Sequence, residues 1–162
     1  MRKALVGIAV MLVLTGCINS KEKKMESICK EIVLSHALDP KEVGFNEIRL
    51  LSGSMSKDEF VRNYYGSESA MSDDQRRLLE LRFKDGGKGA VMYAVDIDFI
   101  DKSRGQDNAI RAQAICIYIG YGDNIDINSF TVNKKRIGRE RMPAYFVTNK
   151  LPKGLSYFGR IE

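Results

Sequence analysis

Two aspartates, Asp96 and Asp98, lie two positions apart in the stretch AVMYAVDIDFID, where apolar residues alternate along the chain. Side chains two apart on a strand point to the same face, so their carboxylates are close enough to influence each other's protonation. Paired carboxylates across a cleft can hydrolyse a glycosidic bond. Because cations occur nearby, we favour a solvated acidic sheet face, and keep a hydrolase or polysaccharide-binding enzyme as the alternative.

Other catalytic arrangements have little support in the sequence. His36 is the only histidine, which excludes a metal site built on several imidazoles, and it falls in an apolar helical stripe that predicts packing. The chain has no GxSxG, HExxH or P-loop motif. We therefore predict no catalytic residue, no metal ligand and no cofactor.

The first twenty residues have the three parts of an export signal. Arg2 and Lys3 precede an uncharged apolar stretch of eleven residues, Ala4 to Leu14, and small residues lead into Cys17. A helix that spans a bilayer needs about twenty apolar residues. Residues 1–16 are therefore predicted to be a removable signal.

The tetrapeptide LTGC, residues 14–17, resembles the lipobox of bacterial lipoproteins. The resemblance implies cleavage before Cys17 and acylation of its thiol and new amino group. Several acyl chains on one residue hold a water-soluble domain at a membrane without a spanning helix. In enteric lipoproteins an aspartate after the cysteine signals inner-membrane retention. Ile18 stands there in this chain, which favours the outer membrane, with the domain on the exported side.

Of the three cysteines, Cys17 is the predicted site of acylation, which leaves Cys29 and Cys116. Disulfides form and persist in exported proteins, so we predict a bridge between this pair. Two reduced, buried cysteines are the alternative. A disulfide between them would favour a periplasmic location, because a periplasm can have its own thiol oxidase.

The carboxy-terminal region is basic. From residue 134 onward the chain has eight cations and two anions, whereas the whole chain has a net charge of +5. We predict anionic-partner binding by five of these cations, with a merely solvated face as the alternative: Lys134, Lys135, Arg136, Arg139 and Arg141. A domain anchored at the outer membrane could reach an envelope protein or peptidoglycan, and either could supply the negative charge that these cations would bind. Nucleic acid is not expected as a partner.

Local patterns predict an α+β domain. An apolar stripe predicts a helix over residues 24–37 that carries Cys29, and Ser56 and Ser72 are predicted to begin two further short helices. Alternating patterns predict a strand from Val43, a long antiparallel hairpin over residues 90–122, and short strands at 127–132 and 144–148. The bridge would clamp the first helix onto this small antiparallel sheet.

Together these patterns predict a signal at 1–16, a lipid-anchored tether at 17–24, an α+β domain at 25–133 and a partly disordered basic region at 134–162. The predicted function is a membrane-anchored envelope lipoprotein, a non-enzymatic binding or assembly component. Besides the hydrolase, an exclusion or immunity lipoprotein of a mobile element is an alternative, suggested only by the small size and the anchor.

Overall fold

A computed structural model describes residues 20–84, 89–102 and 110–162. Short 3-10 turns at Pro40–Glu42, Glu68–Ala70 and Arg139–Arg141 lie between longer elements. Those elements are, in chain order, α1 (Ser20–His36), β1 (Val43–Met55), α2 (Lys57–Tyr64), α3 (Asp73–Phe83), β2 (Ala90–Asp101), β3 (Ile110–Tyr121), β4 (Asn124–Val132), β5 (Lys135–Gly138) and α4 (Met142–Thr148).

The five strands form one antiparallel sheet in the order β1-β2-β3-β4-β5, so each strand pairs with its neighbour in the chain. The register pairs Val95 with Cys116 and Cys116 with Phe130 across the three central strands. The predicted hairpin is β2 with β3, and the predicted strand at 127–132 is part of β4. With helices beside this sheet, the α+β fold class is confirmed.

One face of the sheet packs against α1. Five apolar residues of α1 are each at least 99% buried against the inward-facing residues of β2, β3 and β4: Met25, Ile28, Cys29, Ile32 and Val33. His36, at the end of the same stripe, is half-buried. Ala114 lies in this contact, and its small side chain leaves room for the helix. Cys29 of α1 is disulfide-bonded to Cys116 of β3, with their Cα atoms 5.9 Å apart. The predicted clamp of helix onto sheet is therefore confirmed.

Among the described residues, only α2 and α3 cover the other face, and they do so at one end. A second apolar cluster there joins Phe60 of α2 and Leu79 of α3 to Ala90 and Ile119 of the sheet. Both helices begin with a capping box, in which the serine hydroxyl accepts from a backbone N–H three residues on. Ser56 and Ser72 are these caps, as predicted. No other element of the described chain covers the rest of this face, where Leu51 is 60% exposed.

The fold continues beyond Asn133, past the boundary expected for the α+β domain. Strand β5 pairs with β4 over residues 129–138, and α4 buries Met142 and Phe146 in the main core. The stretch 144–148, expected as a short strand, is helical, because Met142 and Phe146 share one face at a spacing of four. The charged residues that precede α4, in the stretch KKRIGRER at 134–141, are what suggested a solvated and partly disordered region.

The carboxy-terminal segment lies along the remaining outer edge of β4. The amide of Ile127 donates to the carbonyl of Gly159 at 2.7 Å, and that of Ile161 donates to Ile125 at 2.9 Å. Leu155 in this segment is buried in the main core. Residues 150–162 therefore complete the sheet edge that β5 leaves uncovered.

Of the segment expected as a tether, 17–24, the structure describes residues 20–24, and these are helical. Helix α1 begins at Ser20, and Lys21 donates from Nζ to the carbonyl of Asp123 in the β3–β4 turn at 3.0 Å. Lys24 likewise donates to the carbonyl of Glu162. The charged residues that suggested a solvated tether therefore hold the first turn of α1 against this end of the sheet. Cys17 and the signal lie outside the described residues.

Candidate functional site

The five cations predicted to bind an anionic partner do not form one patch. Lys134 lies in the two-residue turn between β4 and β5, where Asn133 and Lys134 have φ of 50° and 67°. Such left-handed pairs fit the twist of an antiparallel hairpin. Lys135 and Arg136 follow on β5, and all three cations are exposed. This hairpin tip is one cationic surface.

Arg139 and Arg141 are placed differently. The side chain of Arg141 is 75% exposed, and its Nε lies 3.9 Å from a carboxylate oxygen of Glu140. Arg139 turns inward instead, and its guanidinium lies 3.8 Å from the ring centre of Tyr64. Its Nη2 donates to the Tyr64 hydroxyl at 2.9 Å and to Asp126 at 3.4 Å.

Asp126 is the centre of a buried polar cluster that the sequence analysis missed. It is 4% exposed and accepts from the Tyr64 hydroxyl, from Nη2 of Arg139 and, at 3.3 Å, from Nε of Arg160. A buried carboxylate is stable only when it is paired and hydrogen-bonded, and here three donors satisfy it. Burial, followed by the bond to Asp126, raises the pKa of Tyr64, so its hydroxyl keeps the proton that it donates.

An open cavity of about 180 Å³ adjoins this cluster. It lies at the outer edge of β4, where the pairing with β5 ends and the pairing with the carboxy-terminal segment begins. Its walls are Asp126, Arg139, Ser156, Phe158 and Arg160. No single stretch of sequence signals this site, because Asp126 and Arg160 are 34 residues apart and meet only through the pairing of the last segment with β4.

The two aspartates of the predicted sheet face lie on the open side, and each is paired with an arginine. Arg49 of β1 donates to Asp96 at 2.8 Å, as does the side-chain amide of Gln113. Arg111 of β3 makes a bidentate contact with Asp98 at 2.8 and 3.0 Å. The expected acidic face is therefore a ladder of opposite charges across three strands.

This pairing bears on the hydrolase alternative. The hydrogen bond from Arg111 is the main cause that lowers the pKa of Asp98. A general acid in glycoside hydrolysis needs a raised pKa so that it holds a proton near neutrality. Asp98 has the opposite environment, and it is suited to holding β2 and β3 in register.

A larger open cavity, of about 540 Å³, lies at the end of the sheet that carries the β4–β5 turn. Lys134 and Arg111 contribute cations to its walls, and Ile110 and Ile115 contribute apolar surface. It lies away from the Asp126 cluster, which is close to the opposite end, near the β3–β4 turn.

Across residues 20–84, 89–102 and 110–162, no group of three or more His, Cys, Asp or Glu is placed to hold a metal ion. Over the same ranges, none of the helices is both long enough and apolar enough to cross a bilayer. No family model, curated protein or solved structure matches the chain.

Proposed function

We propose that the protein is a lipid-anchored component of a bacterial cell envelope, and that it binds a partner without catalysing a reaction. The LTGC motif supports the anchor, because it follows two cations and an apolar stretch too short to span a bilayer. The outer membrane is the favoured location, since Ile18 follows the cysteine.

The start of α1 supports a definite orientation for such an anchored domain. Two residues separate Cys17 from Ser20, where α1 begins, so acyl chains on Cys17 would hold the amino end of α1 close to the lipid. Lys21 and Lys24 of α1 contact the β3–β4 turn and the carboxy terminus. That end of the sheet would therefore face the membrane, and the β4–β5 turn would point away from it.

The observation that carries the choice of partner is the position of the cationic hairpin tip, Lys134, Lys135 and Arg136. Strand β4 runs from Asn124 to Val132, which separates the two ends of the sheet by about 25 Å. At physiological salt, exposed charges are screened over about 8 Å, so the tip would be beyond the field of the anchoring leaflet. Peptidoglycan carboxylates on the wall side are the anionic partner we propose for it.

The anchor is tested by mass spectrometry of the mature amino terminus after expression in a bacterial host. We expect a chain that begins at Cys17 and carries acyl chains, and a Cys17→Ala variant that keeps residues 1–16. An unmodified thiol at Cys17, or cleavage of the variant at the same bond, would contradict the anchor.

The partner is tested by co-sedimentation of the purified protein with peptidoglycan sacculi at increasing salt. We expect the protein to bind sacculi and the affinity to fall as the salt concentration rises. The affinity should be lower by roughly tenfold or more in a triple variant, Lys134→Gln, Lys135→Gln, Arg136→Gln. The matched control is the triple Arg62→Gln, Arg77→Gln, Lys84→Gln variant, which removes three exposed cations from α2, α3 and the residue after α3. Equal losses in both variants, or no binding, would overturn the proposed partner.

A further inference from the structure

The cavity beside Asp126 has an excess of positive charge. Two guanidinium groups, of Arg139 and Arg160, converge on the one carboxylate, which also accepts from the neutral Tyr64 hydroxyl. Asp126 cancels one of the two cations, which leaves a net charge of +1 among the titratable side chains of the walls. The cavity is therefore electrostatically suited to an anion.

Several guanidinium N–H groups at this cavity have no acceptor among the residues that the structure describes. Nη1 of Arg139 is buried and makes no hydrogen bond within the part of the chain that the structure describes. Arg160 uses Nε for Asp126, and neither of its Nη atoms donates to a described residue. Donors left without an acceptor are costly when buried, and an oxyanion supplies acceptor oxygens for several donors at once.

The guanidinium of Arg139 is held in place before any ligand arrives. Its plane lies over the ring of Tyr64, and its Nη2 donates both to the Tyr64 hydroxyl and to Asp126. Because these contacts fix the side chain, little conformational entropy remains to be lost on binding. Such preorganisation distinguishes this cavity from the free cations of the hairpin tip.

The rim of the cavity includes an exposed aromatic ring. Phe158 is 76% exposed, and it lies in a tight turn closed by a hydrogen bond from the Gly159 amide to the Ser156 carbonyl at 2.9 Å. Gly159 has a φ of +85°, a left-handed conformation that side chains disfavour. The turn thus holds an apolar ring beside two cations, an arrangement that fits an anion carrying an apolar group.

We propose that Arg139 and Arg160 form a binding site for a phosphate-type oxyanion, with the ring of Phe158 against the rest of the ligand. The cavity, at about 180 Å³, is far larger than the roughly 10–15 Å³ that one water requires. A phospholipid headgroup and a free phosphate share this chemistry. The site does not depend on the lipid anchor or on the hairpin tip.

The first test is calorimetric titration of the full chain, in detergent, with inorganic phosphate. We expect binding that an Arg160→Gln variant weakens roughly tenfold or more, through loss of charge-assisted hydrogen bonds. An Arg77→Gln variant, which removes an exposed cation from α3, should bind as the wild type does. Loss of affinity in both variants, unchanged affinity in Arg160→Gln, or no binding by the wild type would overturn the site.

Arg160 is 56% exposed at its side chain, so its replacement should lower the stability only slightly and leave the protein folded, and a cooperative thermal unfolding transition of the variant verifies this. Phe158→Ala is a second variant that removes no charge. A parallel titration with dihexanoyl-phosphatidylglycerol identifies the source of the anion. Tighter binding than inorganic phosphate, reduced by Phe158→Ala, assigns the site to a phospholipid headgroup. Equal or weaker binding that still depends on Arg160 assigns it to free phosphate.

Discussion

At the scale of single residues, Asp126 shows how a buried charge is made tolerable. Its three donors come from α2, from the turn after β5 and from the carboxy-terminal segment, so one carboxylate joins three parts of the chain. Removing one partner of a buried charge leaves the rest of its desolvation cost uncompensated. The stability of this corner of the molecule should therefore depend on each donor.

We predict that Tyr64→Phe lowers the free energy of unfolding by about 1–2 kcal/mol, because it removes the donor to Asp126 and an acceptor of Arg139 and keeps the ring. Urea-induced unfolding measures this change. Tyr157→Phe is the matched control, since Tyr157 is 51% exposed and makes no hydrogen bond to a described residue through its hydroxyl. A shift of the same size in both variants would contradict the role of the Tyr64 hydroxyl.

Asp98 leads to a prediction about pH. Arg111 lowers the pKa of Asp98 in the folded protein. A carboxyl with a lowered folded pKa adds stability above its unfolded pKa, about 3.9 for aspartate, and this stability is lost as the pH falls through the folded value. The melting temperature should therefore drop below about pH 4, and drop less in Asp98→Asn.

Thermal unfolding over the acid range measures both effects. Glu26→Gln is the control, because Glu26 has no hydrogen bond or ion pair with an arginine or lysine among the described residues. The role of Arg111 is contradicted if Asp98→Asn has the same acid dependence as the wild type.

At the scale of elements, the main covalent constraint is the bond between α1 and β3. The bridge joins residues 87 apart, so it restricts a large loop of the unfolded chain. The chain-entropy relation gives about 4–5 kcal/mol for a loop of this length. We predict that Cys29→Ala with Cys116→Ala lowers the free energy of unfolding by about that much, measured in urea.

Reductant supplies the control for the bridge. It should destabilise the wild type and leave the double alanine variant unchanged, because only the wild type has a bond to reduce. An unfolding midpoint that neither reduction nor the double substitution alters would show that the bridge contributes nothing to stability.

The helix caps give a smaller prediction at the same scale. Ser56 accepts from the amide of Glu59, and its own amide donates to the Glu59 carboxylate at 2.8 Å. Ser56→Ala should lower the free energy of unfolding by about 1 kcal/mol, and Ser56→Asp should largely preserve it. Urea titrations of the two variants check this, and equal destabilisation by alanine and aspartate would contradict the cap.

Elements with strong local periodicity were predictable, and contacts between distant segments were not. The stripe around Cys29 identified α1, and strict alternation identified the hairpin of β2 and β3. The segment around Tyr145 and Phe146 has aromatic and β-branched residues that favour a strand locally, yet packing of its apolar face makes it helical. Asp126 has neighbours that only the completed sheet brings together, so sequence spacing could not identify it.

At the scale of the whole molecule, the two ends of the sheet differ in their proposed surroundings. The β3–β4 turn lies beside the start of α1, whereas the β4–β5 turn is at the opposite end. If the domain is anchored as proposed, a fluorophore attached to the cysteine of an Asn124→Cys variant should be quenched strongly by a quencher on lipid headgroups. A fluorophore attached in a Lys135→Cys variant should be quenched weakly. Similar quenching at both positions, in the acylated protein on vesicles, would contradict the orientation.

The bond between Cys29 and Cys116 has a mechanical consequence in such an arrangement. If the far end of the domain is held while the cell wall moves against the membrane, tension reaches the domain through α1. A helix attached only by apolar contacts would peel away from the sheet one turn at a time. The bridge instead passes that tension through a covalent bond into the central strand β3, so peeling of α1 stops at Cys29 while the disulfide is intact.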